Sequence, residues 1–582
     1  MTRLALFSLI VSVLLASGSL AGDSRPDLRF KDDFIRGLAA AVPDIMKGQD
    51  PKTGRFGTGI WIVNDQNIMF PLAVAWATES ADNPYYHDQK VLDAIVKAGD
   101  ALIEDADESG QWEFRKKDGS TWGKIYMPWT YSAWIKSYAL VREGMTDEQR
   151  KRWDEALIRG YTNISKTQLA KVHNIPTNHA MGLYIAGQVF DRPEWREQAK
   201  EFMARMIAEQ DPAGFWSENH GPVIGYGSVY TDALGVYYAV SRDESVLPAI
   251  ERAVHFYSSF IYPDGSAVET VDERNVYHHG LRFPNTAFTR TPEGRGFMRQ
   301  QMDILAARGQ KISPEHMANF IAYGEEGSTV PTAARETDRT LALDDNNALI
   351  RRKGSWFICL SAYCCPIPKS RWIQDRQNLV SIYHDRCGLI MGGGNTKLQP
   401  LWSNFTVGDT SLLKHKPGDI APNFMPTGPL FHIPTQASIK QSDPIGLNLK
   451  YGGERCHIFI EPVDDDTLYI HVRSTAVSGL PVEGHITLLP HVGEALRTGK
   501  SPERVLGEEA FTLASEEAGG WIAHHGWKLE LPEGSKVIWP ALPHNPYRKD
   551  GSATAAEGRI VVSLPFSPER GEYVMKLAIG DQ

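Results

Sequence analysis

Three clusters of polar side chains suited to acid–base chemistry lie at positions 173–179, 218–230 and 272–282 of the 582-residue chain. They are built from His, Tyr, Asn and Arg. Histidine and tyrosine can exchange protons, asparagine can donate a hydrogen bond, and arginine pairs with carboxylates. This combination predicts a site that neutralises a carboxylate and moves protons, with no organic cofactor and no Ser or Cys nucleophile.

The first cluster places Asn178 and His179 where a helix is expected to begin. Pro176 biases the preceding backbone, and apolar residues at helical spacing follow. A helix N-terminus favours an anion, so the pair is predicted to hold a carboxylate or a developing negative charge. His173, a few residues upstream, is a further candidate substrate contact. The alternative interpretation is a capping Asn beside a His with satisfied hydrogen bonds.

The second cluster offers two candidate phenols, Tyr226 and Tyr230. Glycines flank Tyr226, which allows the backbone to approach a ligand closely, and a helix is predicted over 228–240. Neighbouring cations or a helix start could lower a phenol pKa from about 10 towards neutrality. Glu218 and His220, in the same loop, are predicted substrate contacts. Plain aromatic packing is the structural alternative.

The third cluster sets His278 and His279 between Arg274 and Arg282, a composition that recognises anions. Both histidines are candidates for proton transfer, and both arginines for substrate binding. A metal is not indicated, because adjacent His without a carboxylate at a defined spacing is weak support for zinc. A structural metal elsewhere stays open, and a solvated polar loop is the alternative for this cluster.

Aromatic side chains surround these segments, and sugar rings present C–H faces that stack on indoles. Trp122 and Trp129 lie beside Gly123 and Pro128 in a predicted loop that leads into a helix. They are the preferred candidates for sugar contacts, although most Trp residues are expected in the core.

This chemistry suits β-elimination on a uronic acid. The C5 proton lies next to a carboxylate and becomes acidic only when that carboxylate is neutralised. Asn178, with His179 or an Arg, would hold the carboxylate. A His or Tyr would remove the proton, and a Tyr would donate one to the leaving oxygen. No metal or organic cofactor is required.

The ends and the composition of the chain indicate compartment and partners. Arg3, an apolar run and a small-residue signal at 19–21 predict a secretory signal peptide over residues 1–21, and hence a secreted or periplasmic protein with no membrane span after cleavage. The net charge of −10 excludes nucleic acid as an expected partner. Five cysteines, an odd number, leave at least one thiol unpaired, with two, one or no disulfides expected.

The pattern changes from helical to alternating near residue 330. Amphipathic segments such as 179–190, 193–209 and 314–323 precede it, and short strands such as 356–361 and 467–474 follow. The expected fold is mainly α plus β, with an (α/α) toroid or incomplete barrel over 22–330 and an antiparallel β-sandwich over 331–582. Paired helices in a toroid direct their inner ends and loops to one cleft.

The clusters and the helix-then-strand order resemble the toroid-plus-sandwich polysaccharide lyases, the heparinase II/III-like and alginate lyases among them. Those enzymes carry an Asn-His pair at a helix start and a catalytic Tyr about fifty residues later, in a loop with Glu and Gly-Tyr. Here Asn178-His179 precede Tyr226 and Tyr230 by a similar interval. The resemblance implies an anionic polysaccharide or oligosaccharide substrate, and it matches His278 or His279 and Arg274 or Arg282 to the family's other groups. His384 of the sandwich is one candidate groove contact.

The sequence departs from that family in its loop, where Asp211 is displaced from the usual Asp-Gly spacing. Two other functions stay open. A glycoside hydrolase on the same toroid would use paired carboxylates, for which Asp65, Glu113, Glu218 and Asp232 are available. A non-catalytic glycan-binding protein would use the clusters only for contact. The uronate polymer, the choice between endo and exo action, the identity of the base and the oligomeric state are also open.

Overall fold

The structure of the protein, a computed structural model, describes residues 27–57, 62–115, 121–332, 336, 338–416, 418–420 and 422–580. The predicted signal peptide lies outside the described residues. Among these residues, no helix combines the length and the apolar character needed to cross a bilayer.

The first half of the described chain is helical. Its α-helices are Lys31–Lys47 (α1), Ile62–Asp65 (α2), Met69–Ala77 (α3), Gln89–Asp105 (α4), Pro128–Val141 (α5), Asp147–Thr167 (α6), Asn174–Val189 (α7), Pro193–Ala208 (α8), Ile224–Ser241 (α9), Leu247–Ser259 (α10), Pro292–Ala307 (α11) and Pro314–Tyr323 (α12). A two-stranded hairpin, Trp112–Arg115 (β1) and Thr121–Ile125 (β2), lies between α4 and α5.

Five of these helices form an inner ring. Helix α3 contacts α5, α5 contacts α7, and α7 contacts α9; α12 contacts both α9 and α3, which closes the ring. Helices α3, α5 and α7 of this ring are buried along most of their length, whereas α6 buries only a stripe that includes Trp153, Leu157 and Ile164. Those stripe positions recur at helical spacing, as expected for an outer helix that covers an inner one. The predicted toroid is confirmed.

Strands make up the second half. They are Asp338–Leu343 (β3), Ala348–Lys353 (β4), Trp356–Ser361 (β5), Val380–His384 (β6), Gly388–Met391 (β7), Phe405–Gly408 (β8), Leu430–Phe431 (β9), Gln436–Lys440 (β10), Ile445–Tyr451 (β11), Glu454–Pro462 (β12), Thr467–Ser474 (β13), Val482–Leu488 (β14), Ala495–Thr498 (β15), Arg504–Val505 (β16), Phe511–Ala514 (β17), Trp521–His524 (β18), Trp527–Glu530 (β19), Lys536–Ala541 (β20), Arg559–Phe566 (β21) and Glu572–Ile579 (β22).

These strands form two antiparallel sheets packed face to face. One sheet has the order β10-β11-β12-β13-β22-β19-β18-β15-β16; the other runs β17-β20-β21-β14-β7-β6-β5-β4-β3, with β8 and β9 attached to β14. Alternate residues point into a shared apolar core, for example Ile358 and Leu360 of one sheet and Ile458 and Ile470 of the other. The predicted sandwich is confirmed. All five cysteines are free thiols.

One helical-half segment, residues 268–285, is fastened to the sandwich. The buried carboxylate of Glu269 accepts from the backbone N–H of Gly393 at 2.8 Å, and the Gly393 carbonyl accepts from Arg559 at 2.6 Å. Arg376, fully buried, donates to the carbonyl of Val271 at 3.1 Å. This segment carries the third cluster, so sandwich residues fix part of the candidate site.

Candidate active site

The carboxylate of Glu218 lies at the centre of the first two clusters. Its Oε2 accepts from the amide of Asn174 at 2.9 Å, and its Oε1 accepts from the hydroxyl of Tyr230 at 2.7 Å. Arg274 Nη1 is 3.8 Å from Oε2, and His173 Nε2 is 3.6 Å from the same oxygen. The Glu218 side chain is fully buried. A buried carboxylate requires such partners, and these ones join α7, α9 and the third cluster.

The local structure of α7 differs from the prediction. The helix begins at Asn174, not at His179, after an extended His173. Pro176 therefore lies in the first turn, where a missing N–H costs no helical hydrogen bond. Asn178 then follows Asn174 by one turn on the same face. Consequently, Asn178 and His179 do not cap the helix, and they lie beyond the first-turn residues whose N–H groups are free.

Helix α9 begins at Ile224, so Gly225, Tyr226 and Gly227 belong to the helix and not to a loop. Its N-terminus is capped from a distance. The buried carboxylate of Asp272 accepts from the backbone N–H of Ile224 at 2.8 Å, and its other oxygen accepts from Arg274 N at 2.7 Å. This contact fixes the third cluster against the start of α9.

The two candidate phenols occupy different environments. Tyr230 is 1% exposed, stacks on Trp216 at 5.2 Å and gives its hydroxyl to Glu218. Tyr226 is partly exposed, and the Arg274 guanidinium carbon lies 4.3 Å from its ring centroid. Burial raises the pKa of Tyr226, while the charge of Arg274 acts in the opposite direction. Tyr226 is the more exposed of the two phenols, whereas the burial of Tyr230 and its bond to Glu218 do not suit the proton-transfer role predicted for it.

A cavity of about 390 Å³ is lined in part by residues of the inner helices α5, α7, α9 and α12. Its wall includes Asn178 from α7, Trp129 from α5, Ser228 from α9 and the exposed Arg282. Arg282 also lies against the start of α9, where its Nη2 would be 3.4 Å from a side chain placed on Gly225. An amide and a guanidinium, both of which can donate hydrogen bonds to an anion, therefore line the same cavity.

His179 is buried at 1% exposure, and burial lowers its pKa to about 3, opposed by the backbone of Tyr126. The imidazole is therefore neutral and buried at ordinary pH. The predicted part of His179 in proton transfer does not fit this position, and the residue serves the packing of α7.

The remaining histidines of the clusters are dispersed. His173 and His220 are exposed, and the backbone N–H of His220 donates to the buried Glu273 at 2.7 Å. His278 is exposed near Arg282, whereas the ring of His279 lies 6.1 Å from that of His491 in the sandwich. His279 therefore faces the sandwich histidines.

Two predicted contacts are corrected. His384 is fully buried in β6; its Nε2 lies 2.9 Å from the Asp465 carbonyl, and its Nδ1 accepts from Arg386 N, so it has no face for a sugar. Both oxygens of the buried Glu218 accept hydrogen bonds inside the protein, a position that does not suit the substrate contact predicted for it.

Trp122 lies on strand β2 and not in a loop, and is 54% exposed. Its ring stacks on Phe114 at 4.8 Å and meets Trp372 of the sandwich half edge-on at 5.5 Å. Trp372 in turn packs against Tyr547 at 5.4 Å, and Tyr547 is 51% exposed. We call Trp122, Trp372 and Tyr547 the aromatic strip. After burial, Tyr547 is one of the groups that raise the pKa of Tyr226.

The sequence clusters include Asn174 and Asp272 without a predicted role for either, and the two sandwich members of the aromatic strip were not predicted. Asn174 carried a signal, since it precedes Asn178 by one helical turn. Asp272, Trp372 and Tyr547 carried none, because their partners are distant along the chain.

Comparisons with known proteins agree with the fold. Residues 67–276 match the family model described as the Ulvan lyase N-terminal domain. Comparison with curated protein sequences gives no significant match.

Among solved structures, a chondroitin AC lyase mutant from Streptomyces coelicolor is 13% identical, with a TM-score of 0.49 over 94% of this chain and 79% of that chain. A heparinase III is 12% identical, with a TM-score of 0.48 over 94% and 84%. A heparan sulfate lyase mutant from Pedobacter heparinus is 10% identical, with a TM-score of 0.47 over 96% and 84%. Likeness at this level says nothing about activity.

The match over residues 67–276 spans α3 to α10, the hairpin and the first part of the third cluster, and therefore covers Asn178, Glu218, Tyr226 and Arg274. This match and the helical ring followed by an antiparallel sandwich agree with the resemblance to the toroid-plus-sandwich polysaccharide lyases.

Proposed function

We propose that the protein is exported and cleaves a uronate-containing polysaccharide by β-elimination, at the junction of the cavity and the Tyr226–Arg274 pair. The observation that carries this proposal is that Asn178 and Arg282 line one cavity, whose wall also includes Ser228 of α9, the helix that bears the half-buried Tyr226. Two donors that converge on a carboxylate lower the cost of removing the adjacent proton.

Each step has a candidate group. Asn178 and Arg282 hold the uronate carboxylate. His173, half-exposed at 46% of its side chain and 3.6 Å from Glu218, takes the C5 proton as base. Burial keeps the pKa of Tyr226 above that of a free phenol, so the hydroxyl is protonated at rest and can donate to the leaving oxygen as the C4–O bond breaks. The electron pair of the C–H bond becomes the C4–C5 double bond.

The aromatic strip gives the polysaccharide a path to Tyr226. Its two exposed rings, Trp122 and Tyr547, offer flat faces, and Arg371 packs beside Trp372 with its guanidinium carbon 5.6 Å from the ring. A strip of aromatic rings next to a cation suits a chain of anionic sugars. Because the family model carries the name of an ulvan lyase domain, ulvan is the first substrate to test.

The carboxylates proposed for a hydrolase are poorly placed for that chemistry. Both oxygens of Glu218 are held by Asn174 and Tyr230. Glu113 is half-exposed on β1 and pairs with Arg115 at 3.8 Å, on a different element from Asp232 of α9. Hydrolysis needs two carboxyl groups that flank one bond.

The experiment is an absorbance screen of the purified protein on ulvan, alginate, glucuronan and chondroitin. Elimination produces a 4,5-unsaturated uronate that absorbs in the near ultraviolet, whereas hydrolysis produces new reducing ends without that chromophore. We expect the chromophore on at least one uronate polymer. Reducing ends without it would support the hydrolase and overturn the proposal.

A second experiment tests the assigned base. His173→Gln should lower kcat roughly 100-fold or more, the usual loss for a general base, while His220→Gln should leave most of the activity. A larger loss of kcat in His220→Gln than in His173→Gln would assign the role of general base to His220.

A further inference from the structure

A cluster of ligating side chains lies in the sandwich, apart from the groups assigned to elimination. His491 and Glu494 lie in the loop between β14 and β15, and His525 lies in the turn between β18 and β19. One ligand atom from each of the three lies within 4.8 Å of the others. His525 Nδ1 is 2.8 Å from Glu494, and the two imidazole rings stack at 3.4 Å.

Secondary contacts hold the two ligand-bearing loops in place. The backbone N–H of His491 donates to His524 Nε2 at 2.9 Å, so His524 carries its proton on Nδ1, which lies 2.9 Å from the carbonyl of Ala495. The Glu494 carbonyl accepts from Leu506 N at 3.0 Å, and Glu494 N donates to the His491 carbonyl at 3.0 Å. The backbone of the cluster is therefore fixed, and second contacts of this kind orient ligands in metal sites.

The side chains nearest to solvent keep room to adjust. Those of His525 and Glu494 are 35% and 48% exposed. Ligand distances of about 2.0–2.2 Å around tetrahedral zinc place the ligand atoms about 3.4 Å apart. The pair His525–Glu494, at 2.8 Å, must therefore separate slightly, whereas any pair near the 4.8 Å limit must approach. Stacked imidazoles also point their lone pairs in parallel, so binding requires His525 to rotate out of the stack.

We propose that His491, Glu494 and His525 bind a divalent transition-metal ion, with zinc as the preferred ion. Two imidazoles and one carboxylate form a ligand set that zinc favours, and hard ions such as Mg²⁺ or Ca²⁺ prefer all-oxygen sites. Water would complete the coordination of a bound ion. His279 is the neighbouring imidazole, with its ring 6.1 Å from that of His491.

The proposed metal site lies near the contact between the helical half and the sandwich. His279 belongs to segment 268–285, which also carries Arg274 and Arg282, and Tyr277 N of that segment donates to the Gly393 carbonyl of the sandwich at 3.1 Å. An ion at this edge would add a positive centre where the two halves of the molecule meet. The ion does not take part in the elimination steps. The proposal of zinc binding and the proposal of β-elimination can therefore be tested independently.

The test is zinc binding by the full protein after dialysis against a chelator, measured by calorimetry and by metal content. We expect one zinc ion per chain, a higher melting temperature with zinc, and a cobalt(II) form with visible absorption bands. The single variants H491Q, E494Q and H525Q should each weaken binding by about tenfold or more, the scale at which ligand shells affect affinity.

A matched control is available on β13. His471 lies 3.3 Å from Glu461 and 3.8 Å from Glu572. His471→Gln also removes an imidazole beside carboxylates, but should leave zinc affinity unchanged. Circular dichroism and a retained melting transition show that each variant is folded. The proposal is overturned if the chelated wild type takes up no zinc, or if the H491Q/H525Q double variant binds it as tightly as the wild type does.

Discussion

Arg274 lies over the ring of Tyr226, with its guanidinium carbon 4.3 Å from the ring centroid and Nη1 3.8 Å from the buried Glu218. The same cation therefore contacts a π face and a carboxylate. Its charge stabilises a phenolate, and Glu218 holds it in place. Arg274 thus provides, next to Tyr226, the positive charge that stabilises a phenol when it gives up its proton.

Replacing Tyr226 by Phe should lower kcat by roughly 10²–10⁴-fold, because the leaving oxygen loses its proton donor, and should change KM much less. The measurement is the rate of chromophore formation on the polymer that the wild type cleaves. Tyr238→Phe, at the far end of α9, is the matched control and should remain active. An Y226F variant with half of the wild-type rate would remove Tyr226 from the mechanism.

Tyr230→Phe should act mainly on stability. It leaves one oxygen of the buried Glu218 without its donor, which costs about 1–3 kcal/mol of the free energy of unfolding. Urea unfolding measures this loss, and the variant should retain far more activity than Y226F. If Y230F is as stable as the wild type but inactive, the roles of the two phenols are reversed.

His179 predicts a pH dependence of stability. Its folded pKa is about 3, below the value of about 6.5 in the unfolded chain, so unfolding takes up a proton between these values. The stabilisation is complete above pH ~6.5 and is lost as pH falls towards 3, with a slope of about 1.4 kcal/mol per pH unit.

His179→Gln removes this contribution. Between pH 6 and 4, the free energy of unfolding of the variant should fall less steeply than that of the wild type, whatever the offset at neutral pH. Urea titrations at several pH values give both slopes. Parallel curves would show that His179 does not titrate on unfolding.

Trp122→Ala should raise KM for long substrates roughly two- to tenfold, the scale of about 0.5–1.5 kcal/mol for one lost aromatic contact, and should change kcat little. The substitution removes the most exposed ring of the aromatic strip. Tyr86→Ala, which truncates an exposed aromatic outside the strip, is the control. Equal effects of the two variants on KM would argue against a sugar path along the strip.

Periodicity predicts the fold well where one face of an element is buried. Positions 314–323 coincide with α12, and 356–361 and 467–474 coincide with β5 and β13. Short elements with little apolar alternation, such as the β1–β2 hairpin, give no comparable signal.

The starts of α7 and α9 could not be placed from local sequence. Pro176 suggests a boundary, yet a proline in the first helical turn breaks no hydrogen bond. For α9, the cap is Asp272, 48 positions from Ile224. Both differences affect the candidate site, since they move Asn178 and Tyr226 from caps and loops into helices. The chemistry of the residues could be read from the sequence, but their exposure depended on contacts between distant segments.

The Asp272 cap also determines how the protein meets a negatively charged ligand. An internal anion already occupies the amide groups at the start of α9, so that end of the helix offers little attraction to a second one. An acidic ligand must then be recognised by side chains and not by the backbone amides of α9. Such side chains can be replaced individually. Selectivity among acidic polymers should therefore be adjustable by altering surface charge around Arg282, without disturbing the backbone.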